Sequence, residues 1–82
     1  MKTSVDISYY PLHDEYVVPI LDFIKRLNQY KEIVVETNGM STQVFGEYDD
    51  VMTALISEIK KSFEVPHSVF VLKVVNAHLQ KS

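Results

Sequence analysis

The chain has 82 residues, 46% of them hydrophobic and 23% charged, with no cysteine and a formal net charge of −3. That length supports one core in one domain over residues 1–82, since a chain this short buries only ~60% of its unfolded surface. The missing cysteines exclude thiolate catalysis, CxxC redox chemistry and cysteine zinc sites. They also favour a reducing compartment, and the scattered basic residues argue against nucleic acid as a partner.

In chain order, Thr3 to Tyr10 alternates, with Val5, Ile7 and Tyr9 set against Ser4, Asp6 and Ser8. This is a strand with one apolar face, stopped by Pro11. After the loop of residues 11–14, Val17, Ile20, Leu21, Ile24 and Leu27 recur at helical spacing from about Tyr16 to Gln29. Pro19 is tolerated only near a helix start, which sets that start around Glu15 or Tyr16. Ile33 to Thr37 is a β-branched strand, and Asn38-Gly39 predicts a tight hairpin with positive φ at both residues. Met40 to Tyr48 is the returning strand. Asp49 is the expected N-cap of a second helix, whose stripe is Val51, Met52, Leu55, Ile56, Ile59 and Phe63. Ser68 to Asn76 is the last strand, and residues 78–82 form a polar tail.

The order β-α-β-β-α-β predicts a ferredoxin-like α+β fold: a four-stranded antiparallel sheet with both helices on one face. The other face should then be polar in a monomer. The last strand instead reads Val69-Phe70-Val71-Leu72-Lys73-Val74-Val75, apolar at nearly every position. Tyr10 and Phe45 add to that face. The pattern favours sheet-to-sheet or edge-to-edge association over a set of singly exposed apolar residues.

Residues suited to catalysis are dispersed. His13, His67 and His78 lack the spacing of a metal site and read as surface residues. Asp49-Asp50 caps a helix before it makes an acid/base pair, and neither Ser8 nor Ser41 has a histidine at a telling position. With Gly39 and Gly46 as the only glycines, no phosphate loop exists. No catalytic residue, metal or cofactor is expected. The start Met1 to Val5 carries no apolar run of signal-peptide length. Nor does any stretch reach the ~18 apolar residues of a membrane span, so a cytoplasmic protein without membrane insertion is expected.

A neutral polar cluster remains at the hairpin: Thr37, Asn38, Ser41, Thr42 and Gln43, with Met40 among them and Tyr9, Tyr10 and Tyr48 as possible neighbours. Such groups can read the edge of a heterocycle, but the pattern alone favours ordinary turn and strand-end residues.

The segment Thr37-Asn38-Gly39-Met40-Ser41-Thr42-Gln43-Val44-Phe45-Gly46-Glu47 resembles the YkoF-type thiamine/hydroxymethylpyrimidine-binding family. Ser8-Tyr9-Tyr10-Pro11-Leu12 and Val74-Val75-Asn76 are similar to the ends of that family's first and last strands. The resemblance implies a ferredoxin-like ligand-binding domain over the whole chain. It implies a homodimer or homotetramer assembled through the sheet, and thiamine or its hydroxymethylpyrimidine half as ligand, in vitamin uptake or salvage without catalysis. Ser41 and Thr42 match the family's hydroxyls, which would bond the aminopyrimidine edge while Met40 or an aromatic ring covers its face. Asn38 and Tyr9 match more loosely. The alternative is an oligomeric regulatory or adaptor module with no small ligand. An acylphosphatase-type enzyme would need an arginine in the loop of residues 11–14, and the only arginine, Arg26, lies in a helix.

Overall fold

The computed structural model describes residues 1–81; Ser82, the last residue of the expected tail, lies outside them. The elements run β1 (Lys2–Pro11), α1 (Val17–Leu27), β2 (Val34–Thr37), β3 (Thr42–Glu47), α2 (Tyr48–Ser62) and β4 (Ser68–Val75). All neighbouring strands are antiparallel, in the order β2-β3-β1-β4, with β1 at the centre between its partners β3 and β4. This is the ferredoxin-like α+β fold.

The register assigns the two faces of the sheet. Val5 pairs with Val44 and Val74, Ile7 with Thr42 and Leu72, and Tyr9 with Phe70. Those side chains face the helices, where Val5, Ile7, Val44, Phe23, Leu27, Val51, Ala54 and Leu55 form the core. Successive residues on a strand point to opposite faces. Ser4, Asp6, Ser8, Tyr10, Gln43, Phe45, Val69, Val71, Lys73 and Val75 therefore make up the open face. Arg26 of α1 ties the helices together through Glu58 of α2.

The structure corrects several expectations. β1 includes Pro11 at its end, because the sheet lies β4 alongside it as far as Ser68. A terminal strand position is where a missing N–H is tolerated. α1 begins at Val17, and the carboxylate of Glu15 accepts from Val17 N (3.2 Å) and Val18 N (3.4 Å). Its buried stripe is centred on Phe23 and Leu27, while Leu21 is 59% exposed and Val17 also faces water. α2 begins at Tyr48, so Asp49 and Asp50 occupy its first turn and Glu47 stands at the N-cap without a side-chain cap bond. They still favour the positive end of the helix dipole. Ala54 is buried in α2, whereas Ile56 and Phe63 are exposed.

The hairpin differs most. No non-glycine residue among those described has positive φ, and Gly39 does not either. Residues 38–41 form a wider loop closed by Asn38 N to Ser41 O at 3.1 Å. The Asn38 Oδ1 accepts from Met40 N (2.8 Å) and Ser41 N (3.0 Å). This side-chain turn satisfies the loop's amides without left-handed backbone.

After β4 the tail doubles back over the open face. Ser4 Oγ donates to Ala77 O at 2.7 Å and accepts from Leu79 N at 2.9 Å. Gln80 Nε2 donates to Glu36 Oε2 at 3.1 Å, and His78 sets its ring against Phe45 at 6.1 Å. Phe45 is buried as a result, and the open face near Tyr10, Val69 and Val71 stays bare.

Candidate functional site

A cavity of about 160 Å³ opens where the β2–β3 loop leans against the C-terminal half of β1 and the first turns of α1. Tyr9, Asn38, Met40, Ser41 and Thr42 all line it, although Tyr9 is remote from the others in sequence. Antiparallel pairing of β1 with β3 makes the meeting, since Ile7 lies opposite Thr42.

The residues contribute unequally. Thr42 is buried on the helix-facing side, with its hydroxyl 3.3 Å from that of Thr37 across the strand pair. Each hydroxyl keeps capacity for another bond. Ser41 Oγ donates instead to Asp6 Oδ1 at 2.6 Å. Neighbouring residues alternate sides, so these two hydroxyls do not present one common edge. Asn38 is engaged by its own loop. Met40 is 91% exposed and stands in water at the rim. Tyr9 stacks one ring face on Phe70 at 4.2 Å, sets an edge against Phe23 at 5.5 Å, and holds its hydroxyl 3.4 Å from Ser68 Oγ.

The apolar wall comes from α1, through Ile20, Phe23 and Ile24. Ile20 and Ile24 belong to the expected helical stripe. Phe23 was not singled out by the sequence, although its i,i+4 spacing to Leu27 was a usable signal. No charged side chain lines the cavity. It offers hydroxyls, backbone groups and apolar surface, which suits an uncharged ring with a hydrogen-bonding edge.

Behind the loop, on the open face, Asp6 also accepts from Gln43 Nε2 at 2.9 Å. The hydrogen bond from Ser41, then that from Gln43, holds its carboxyl below the ordinary 3.8; Lys73 acts in the same direction and burial opposes them. Glu47 lies at the far end of β3, where it pairs with the N-terminal amine (2.9 Å) and Lys2 (3.3 Å), away from the cavity. Among the described residues no group of three or more His, Asp or Glu could hold a metal ion, and no helix is long and apolar enough to cross a membrane.

No protein-family model matches the sequence, and no curated protein matches it significantly. Solved structures share the fold. A hypothetical protein of Methanocaldococcus jannascii is 24% identical with a TM-score of 0.79, over 98% of this chain and 84% of its own. A proposed thiamine biosynthesis/salvage protein of Thermotoga maritima is 16% identical with a TM-score of 0.85, over 98% and 90%. A domain of unknown function, DUF77, from Bacillus cereus is 15% identical with a TM-score of 0.71, over 94% and 77%.

Proposed function

We propose that this protein binds the hydroxymethylpyrimidine moiety of thiamine, free or as part of the vitamin, in uptake or salvage and without catalysing a reaction. The observation that carries the reading is the convergence of Tyr9 and the 38–42 segment on one cavity that has no charged lining. A neutral aminopyrimidine can use the hydroxyls of Thr37 and Thr42 with its face on Ile20 and Ile24. The thiazolium of thiamine would remain outside, because an unpaired cation is costly in an uncharged cavity. The fold shared with the Thermotoga protein is consistent with this reading.

Titration calorimetry with hydroxymethylpyrimidine and with thiamine tests it. The two should bind with affinities within about threefold of each other, a difference under ~1 kcal/mol. Ligand at 100 times Kd should stabilise the fold by ~2.7 kcal/mol. No heat and no thermal shift with either compound would sink the proposal.

A second reading is favoured by the bare half of the open face. Tyr10 is 53% exposed and Val71 50%, with Val69 beside them. That row suits a sheet-to-sheet homodimer or homotetramer, and without a small ligand it suits an adaptor. Sedimentation of the wild type against Val71→Glu separates the outcomes: a monomer in both proteins removes the assembly part.

A further inference from the structure

The side chain that anchors the cavity's outer wall does not itself line the cavity. Asp6 stands on the central strand, on the open face. Its Oδ1 receives the Ser41 hydroxyl at 2.6 Å and the Gln43 amide at 2.9 Å, and that amide also donates to Ser41 Oγ at 2.9 Å. Gln43 Oε1 accepts from Asn38 Nδ2 at 3.4 Å. Asn38 Oδ1 in turn receives the amides of Met40 and Ser41. The contacts run without a break from the middle of the sheet to the loop that walls the cavity.

We propose that Asp6 is the positioning residue of this site: its Oδ1, acting from the opposite face of the sheet as the shared acceptor for Ser41 and Gln43, holds the 38–41 loop in the shape that receives a ligand. The inference rests on the cavity being the binding site. Beyond the Asn38 side-chain turn, the loop has little else to fix it. Its one internal backbone bond joins Asn38 and Ser41, Met40 is in water, and a Cβ on Gly39 would touch nothing within 4 Å. Bonds to an ionised acceptor are short and strong, as the 2.6 Å contact is.

The surroundings keep Asp6 charged. Lys73 of β4 lies directly across from it, and its partners on β3 and the loop, Gln43 and Ser41, are neutral donors. The nearest acidic group on that face is Glu36 of β2, opposite Gln43, and Gln80 engages its carboxylate. Both bonds from Ser41 and Gln43 end on one oxygen, so an asparagine could accept them through its own Oδ1. A leucine of similar size could accept neither.

The test compares wild type, Asp6→Asn and Asp6→Leu, with Asp6→Val, which also lacks an acceptor, in reserve should the leucine variant not fold. Two readouts are taken: calorimetric titration with hydroxymethylpyrimidine, and NMR order parameters of the Met40 and Ser41 amides. Asp6→Asn should bind within about threefold of wild type and keep both amides near S² ~0.85. Asp6→Leu or Asp6→Val should weaken binding about tenfold or more and drop both amides below ~0.6, with the rest of the sheet unchanged. Rescue by asparagine separates positioning from generic strand damage. Rigid loop amides in the leucine or valine variant overturn the inference, whatever the affinities. If wild type does not bind the probe but the amides respond as expected, the positioning role of Asp6 stands and the ligand assignment falls.

Discussion

Arg26 of α1 and Glu58 of α2 meet at 2.9 Å in the seam between the helices, each side chain only 13% exposed. The same guanidinium donates to Asp22 (3.1 Å), to Glu58 O (3.2 Å) and to Ser62 Oγ (2.8 Å), while Tyr30 donates to the other Glu58 oxygen at 2.7 Å. Four of the five N–H donors of the chain's only arginine are taken by these structural partners. Removing one member strands the rest in a partly dry seam. Glu58→Ala should cost ~2–3 kcal/mol, less than a fully buried pair because Asp22 still faces the arginine. Urea denaturation measures it, and Glu58→Gln should lose about half as much if hydrogen bonding rather than charge dominates.

The same seam contributes a pH dependence on the alkaline side. The Glu58 carboxylate raises the Tyr30 hydroxyl above its ordinary 10.0, helped by burial. The unfolded chain therefore gives up this proton first. The stability this group contributes is present below pH 10 and is lost as pH climbs through its folded value. Tyr30→Phe should flatten that alkaline decline in a stability–pH series.

Asp6 acts at the other end of the scale. Its folded value lies below 3.8, so its contribution is present above that pH and is lost as pH falls through the folded value. Asp6→Asn should be less sensitive than wild type across that acid window when unfolding is followed by circular dichroism.

Gly46 is held by close approach. A Cβ there would lie 3.3 Å from both Glu32 O and Val51 Cγ2, and φ is +158°. The carbonyl belongs to the backbone and cannot swing aside. Gly46→Ala should destabilise by ~1–3 kcal/mol, read as a lower urea midpoint at unchanged slope.

Thr42→Val tests the cavity at nearly constant shape. It removes the hydroxyl facing Thr37 and leaves the packing volume in place. Affinity for hydroxymethylpyrimidine should fall about tenfold, one hydrogen bond's worth, with little change in melting temperature.

Much of this architecture was legible in the pattern. Alternation at Val5, Ile7 and Tyr9, the two apolar stripes and the turn residues were enough for element order and layers. The face of α1 was not, because Val17, Val18, Ile20, Leu21, Phe23, Ile24 and Leu27 describe overlapping stripes. Packing against Tyr9 and Phe70 selects Phe23. The Asn38-Gly39 pair signalled a turn, but its width was decided by Asn38 bonding its own loop. At the site, Tyr9 and the 38–42 segment could be named individually. Asp6 could not, since its role exists only once the register sets it beside Gln43.

The central place of β1 has a consequence for how the chain is made. This strand leaves the ribosome before either of its neighbours, and β4, its longer partner, comes last of the six elements. At 5–20 residues per second, Val5, Ile7 and Tyr9 wait about 3–15 s for that partner. Until then the sheet lacks its far side, and Phe70 is not there to close the aromatic cluster. The fold is thus completed after synthesis of β4 and not progressively during it. The nascent chain depends on that interval passing without another strand taking the place of β4.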